Sequence, residues 1–279
     1  MNDQLSLLFI GGHPKDVILY AGGTMALHVQ RGDRVVALSP TYGLTHHQKA
    51  VAAFNRGEEL DLDLLKTERL KELTAACFEL GVTDVRCLDY DDSVPIIDRE
   101  VILQIADVIG QVRPDVIVMH HPHDSVGMHG AVAQMTLTAM ENASTVLQGK
   151  HKPHTPRQVF FHTQFGRTNL LEHDVPRIPS VVIDITPTVV KKAKAMNHFV
   201  SQDYGEDSPL QRKLGEILDG NIFGLHKRVA YAEHYAPFNS SVYDSLPLSD
   251  YELRLSTRTP EETLLDMTQM LLDDFDPKD

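Results

Sequence analysis

Tryptophan is absent from the 279 residues, and cysteine occurs only twice, as Cys77 and Cys87. Neither belongs to a CxxC pair, which argues against a thiolate zinc site and fits a reduced, cytoplasmic setting. Basic residues are also short, with 26 Lys and Arg against 39 Asp and Glu, a formal net charge of −13. Nucleic acid is therefore not an expected partner, because phosphate binding needs a basic surface. No apolar run approaches the ~20 residues of a membrane span. The opening Met-Asn-Asp-Gln lacks the basic start of a secretory leader, so Leu5 to Ile10 is expected to be the first strand. No GxGxxG follows Gly11-Gly12, so the turn is not a dinucleotide fingerprint. Internal repeats and low-complexity stretches are missing as well.

What is present is an ordinary globular composition, 42% hydrophobic and 23% charged, in a chain long enough for a substantial core. Strand and helix signals alternate. Leu5 to Ile10, Arg34 to Ser39, Asp84 to Leu88, Asp115 to Met119, Val159 to His162 and Val181 to Ile185 read as strands. Val17 to Arg31, Leu60 to Leu80, Arg99 to Val112, Ala131 to Leu147 and Thr186 to Ser201 read as helices. Single helices between strands imply right-handed βαβ units, hence a Rossmann-like, mostly parallel sheet with helices on both faces. In such sheets ligands sit beyond the carboxyl ends of the strands, at a topological switch point. Two segments fall there, Gly11 to Asp16 and His120 to His129.

Those segments carry several of the chain's fifteen histidines. His13 and Asp16 stand three apart at a strand-to-helix turn, where an imidazole and a carboxylate converge on one ion. One histidine from 120–129 would complete a facial set with open positions for water and substrate, the pattern of catalytic zinc. His46, His47, His151 and His154 read as packed or surface residues.

The stretch FIGGHPKDVILYAGGTMALHVQRGDRVVALSPTYG resembles the opening of the LmbE-like, or PIG-L, N-deacetylases: an apolar strand, A-H-P-D-D, an x-G-G-T helix, and a second strand ending in T-x-G. HPHDSVGMH, residues 121 to 129, is similar to the family's H-P-x-D-x-H-P-D-H. RLKELTAACFELGV, VRPDVIVMHHP, IDITPTVVKKAKAMNHFVSQ and AYAEHY match supporting motifs in the same order. The resemblance covers roughly residues 5 to 238. It implies an LmbE-like domain over 1–240, followed by an acidic extension, 241–279. From Asp250 onward that extension holds nine acidic and three basic residues, which reads as a solvated helix with a frayed end.

The resemblance implies that His13, Asp16 and His129 bind one divalent metal, zinc by preference, although iron, manganese or nickel suit the same donors. It implies amide hydrolysis on an N-acetylated amino sugar, and homo-oligomers, which are frequent in the family. Three positions depart from its pattern. Lys15 replaces the general base, Val126 replaces the histidine that serves the leaving amine, and Met128 replaces the Asp that orients that pair. Asp124 matches. One reading is thus a divergent hydrolase in which Asp124, His123 or another loop residue moves protons. A second is a non-catalytic metal- or sugar-binding homologue, and a third an interaction protein with a vestigial site. Lys15 would serve as a base only if the nearby ion lowered its pKa, and would equally bind a substrate carboxylate or phosphate. Asp92 would contact substrate or simply cap its loop, and His162 would line the cleft. Arg69, in mid-helix, is expected to be solvated, and the HFVSQ segment to fix a helix end.

Overall fold

The computed structural model describes residues 4–146, 149–162, 180–205, 228–254, 259 and 261–266. Its centre is a seven-stranded sheet in the order β3-β2-β1-β4-β5-β7-β6. β1 (Ser6–Ile10) lies between β2 (Arg34–Thr41) and β4 (Val116–His120), parallel to both. β3 (Asp84–Tyr90) and β5 (Gln158–His162) extend the parallel block. β7 (Ala232–Pro237) runs antiparallel between β5 and β6 (Val181–Asp184). The chain order reverses between β1 and β4, which makes the gap beyond their carboxyl ends the switch point.

Each face of the sheet carries a core. On one, α1 (Pro14–Arg31), α3 (Leu62–Glu79) and α6 (Val189–Asn197) bury Leu7, Phe9, Ile18, Met25, Leu73 and Met196. On the other, α4 (Arg99–Val112) and α5 (Gly127–Ala143) cover Leu8, Ile10, Ile117 and Met119. The alternation of Leu7 and Phe9 with Leu8 and Ile10 is what a two-sided strand requires. One helix escapes a periodicity reading: α2 (Gln48–Asn55) buries only Ala50. Helix bounds otherwise agree to within a few residues, with Leu147 lying outside the described residues.

The Gly22-Gly23-Thr24 stretch of α1 has a packing cause. A Cβ on Gly23 would stand 2.7 Å from the Ile185 side chain, so the helix sits tight on the segment after β6. The Gly23 and Thr24 amides donate to the buried Glu233 carboxylate at 2.9 and 2.8 Å, and Lys192 Nζ reaches it at 2.8 Å. The Tyr235 hydroxyl completes the cluster, 3.0 Å from Glu233 and 2.8 Å from Thr24 Oγ1. These bonds anchor α1, the helix that carries Asp16 and Tyr20.

Candidate metal centre

The turn after β1 brings two chain segments into contact. A Cβ on Gly12 would lie 2.8 Å from His129 Cδ2, so only glycine lets the turn pass beneath that ring. The Gly12 amide donates to His120 Nε2 at 2.8 Å. His13 then caps α1 and Asp16 occupies its first turn, with Asp16 Oδ2 accepting from the His13 amide at 2.9 Å. This reciprocal geometry fixes the carboxylate against the ring.

Asp16 Oδ2 lies 2.9 Å from His13 Nδ1 and 3.0 Å from His129 Nε2. All three residues are buried, and one donor atom from each falls within 4.8 Å of the others. Burial pushes the Asp16 carboxyl up, but the His129 and His13 rings and the His120 contact outweigh it and hold it well below its ordinary value. Burial pushes His129 down, yet Asp16 and Asp124 raise it to about 9. The cluster therefore attracts positive charge. Two imidazoles and a carboxylate around one point fit a divalent ion of the zinc type.

Behind His129 stands Asp124, its Oδ2 3.2 Å from His129 Nδ1 and 3.6 Å from His120 Nδ1, its Oδ1 accepting from the Val126 amide at 2.9 Å. The carboxyl, raised by burial, is lowered far more by the two histidines. His120, Asp124 and His129 also meet the distance test for a ligand set. His120 Nε2 is already an acceptor, however, so Nδ1 carries the proton of the neutral ring. This second set is a supporting layer.

His120 closes β4, is fully buried, and stacks on His129 with centroids 3.8 Å apart. His162, opposite it in the register, packs edge-on at 4.3 Å. Tyr20, one turn beyond Asp16, stacks on His162 at 4.5 Å. Burial, then the neighbouring His120 and His129 rings, keep His162 well below its ordinary value and therefore neutral. Neither His120 nor Tyr20 was assigned from sequence. Their signals were a strand's last residue at the switch point and an i+4 spacing from Asp16.

The remaining expectations divide. Asp92 Oδ2 reaches to 3.9 Å from His13 Nε2 and accepts from Thr45 at both its amide and its hydroxyl. Lys15 is partly buried and donates to the Tyr204 hydroxyl at 3.2 Å. Val126 caps α5 without a side-chain bond. His123 is exposed beside His121, its amide donating to His121 Nδ1, and belongs to neither ligand set. The expectation that Arg69 is solvated is wrong: it is fully buried, donating to Gly43 O at 2.7 Å, with Glu72 at 3.6 Å. The loop after β2 folds back over α3 and covers it. Burial lowers its guanidinium, opposed by Glu72, Asp92 and Asp16. Ser201 of HFVSQ donates to Glu72 through its amide and hydroxyl, at 2.7 and 2.6 Å, the structural role expected. His47, His151 and His154 are likewise tied to Ala50, Asp107 and Pro114.

The PIG-L family of GlcNAc-PI de-N-acetylases matches residues 8–140. A 1D-myo-inositol 2-acetamido-2-deoxy-alpha-D-glucopyranoside deacetylase of Acidothermus cellulolyticus is 28% identical over 282 residues, covering 85% of this chain and 90% of that protein. Matches to further proteins of that description span about half of their length. A 4-oxalmesaconate hydratase of Pseudomonas putida is 27% identical over 121 residues, covering 43% of this chain and 45% of that protein. The N,N'-diacetylchitobiose deacetylase of Pyrococcus horikoshii shares the fold, with a TM-score of 0.68 at 20% identity over 85% of this chain and 84% of that one.

Proposed function

From the match of residues 8–140 to the PIG-L family, we propose that the chain is a metal-dependent hydrolase cleaving the amide C–N bond of an N-acylated amino sugar. The observation that carries this is the convergence of His13, Asp16 and His129 at the switch point of the sheet. These three would hold the ion, zinc by donor chemistry. Such an ion, when bound, polarises the carbonyl and lowers the pKa of bound water to about 7.

The protein's own groups do the rest. Asp124 accepts at His129 Nδ1 and so leaves Nε2 for the ion, a positioning part that stands beside the proton transfer expected from the sequence. Asp92, 3.9 Å from His13 Nε2, orients substrate hydroxyls, and the stacked rings of His162 and Tyr20 form a neutral aromatic wall. With Lys15 and Val126 at the usual base and acid positions, about 10²–10⁴-fold per group is forgone. His123, at the mouth of the loop, is the group assigned to exchange protons with the leaving amine.

The test is amine release from acetylated amino sugars by the zinc-loaded protein, beside metal analysis of His129→Ala. Equal, tightly bound metal in both proteins refutes the ligand set. A second reading, water addition across an activated C=C bond, is favoured by Val126, since that reaction expels no amine that needs a proton. Loss of conjugated absorbance without amine release would select it.

A further inference from the structure

We propose that His120 is a positioning residue for the ion, and that it acts through one hydrogen bond, which ties the turn carrying His13 to the strand that leads to His129. The inference rests on the ligand set of the proposed function and on nothing else in that reading.

His120 ends β4 on the side where Val116 and Val118 face the core beneath α1. An aliphatic side chain would continue that row. A fully buried imidazole is a costly substitute. The cost is seen at Nδ1, which has no hydrogen-bond partner among the described residues, Asp124 Oδ2 standing 3.6 Å away. What the ring gains lies entirely at the ligands. Nε2 accepts from the amide of Gly12, the residue before His13, at 2.8 Å, and Asp16 Oδ2 is 3.7 Å from the same nitrogen. One ring face lies on His129, with centroids 3.8 Å and planes 18° apart. A single side chain thus borders all three parts of the ligand set. His162 packs edge-on against it at 4.3 Å, and Tyr20, from the helix that bears Asp16, at 5.5 Å, which braces the ring.

Such a tie acts before the ion arrives. Ligands already held at ion distance need little reorganisation on binding, whereas ligands on two untied segments must be ordered by the ion itself. The ring offers two supports, the acceptor at Nε2 and the stack on His129, and they can be separated. Phenylalanine keeps the stack and removes the acceptor. Glutamine removes the stack and places an acceptor at the reach of Nε2.

The experiment compares His120→Phe and His120→Gln with the native protein. Zinc affinity is read by chelator competition, ligand geometry by the visible spectrum of the cobalt-loaded protein, and fold stability by melting without metal. Amine release is followed in parallel. His120→Phe should lose about 10–100-fold in zinc affinity and shift the cobalt spectrum, and His120→Gln should lose less and keep the native spectrum. Nitrogen NMR of the native protein should find the His120 proton on Nδ1 both with and without zinc, while the His129 signals move. Equal losses in the two variants, no loss in His120→Phe, or a lower melting temperature with an unchanged cobalt spectrum overturns the proposal. If neither variant folds, the NMR measurement decides: a proton on Nε2, or a His120 ring that zinc shifts as it shifts a ligand, overturns it. A native protein that takes up no zinc removes the ligand set and this inference together. Losses in the expected order without amine release keep the inference and count against the hydrolase reading alone.

Discussion

His129 meets a carboxylate at each ring nitrogen, Asp16 at Nε2 and Asp124 at Nδ1. With the ring held protonated up to about pH 9, uptake of a divalent ion at pH 7 should expel about one proton, and uptake above pH 9 none. Calorimetry in two buffers of different ionisation enthalpy reads this directly; a buffer-independent heat at pH 7 would contradict it. Asp124→Asn should keep the ion but lose about 10–100-fold in affinity, the usual cost of a missing second-layer partner, measured by competition with a chelator. At this scale the sequence was informative where chemistry forces a residue type. His13, Asp16 and His129 lay in two spaced motifs, and the geometry brings them together. It was uninformative where burial decides. Arg69 reads as an exposed helix position until the loop holding Gly43 is folded over it, and no local pattern encodes that cover.

At the scale of elements, α1 is secured at its middle and at its carboxyl end. Glu233 and Lys192 form a buried pair against its middle. Glu233→Ala should destabilise the protein by about 3–5 kcal/mol, because it strands a buried ammonium. Combining it with Lys192→Met should recover part of that loss in denaturant melts; no recovery would mean that the amides of Gly23 and Thr24 dominate. At the carboxyl end, Asp33 accepts from the Leu5 amide at 2.8 Å and from His28 Nδ1 at 2.7 Å, with Arg31 at 3.0 Å. Burial raises its carboxyl, but these partners lower it overall. A folded-state value below the unfolded one gives stability that is complete above the ordinary carboxylate pKa of about 3.9 and is lost as pH falls through the folded value. Asp33→Asn should therefore flatten the acid limb of the stability curve, and an unchanged limb would exclude the role. Strands β1 and β4 were legible as apolar runs closed by turn residues. The helix α2 was not, since Val51 and Phe54 face solvent and leave no stripe to read.

Over the whole molecule, alternating signals were enough to give a parallel sheet and its switch point, because the handedness of βαβ units leaves few other topologies. They could not give the antiparallel insertion of β7 between β5 and β6, which depends on long-range pairing. Among the described residues after 240, the Tyr251 and Thr263 hydroxyls both donate to Arg228 O. A chain ending at residue 240 should retain one ion per molecule with a lower melting temperature; loss of metal uptake would place the extension inside the functional unit. The bond from Gly12 to His120 joins residues 108 apart, and His129 lies farther still. During synthesis at about 5–20 residues per second, His13 and Asp16 therefore emerge several seconds or more before their third partner exists. For that interval the ribosome carries a two-donor fragment with weak hold on any cation. On the proposed ligand set, metal acquisition would be a late event in the life of the chain, open only after β4 has been made and can pair with β1.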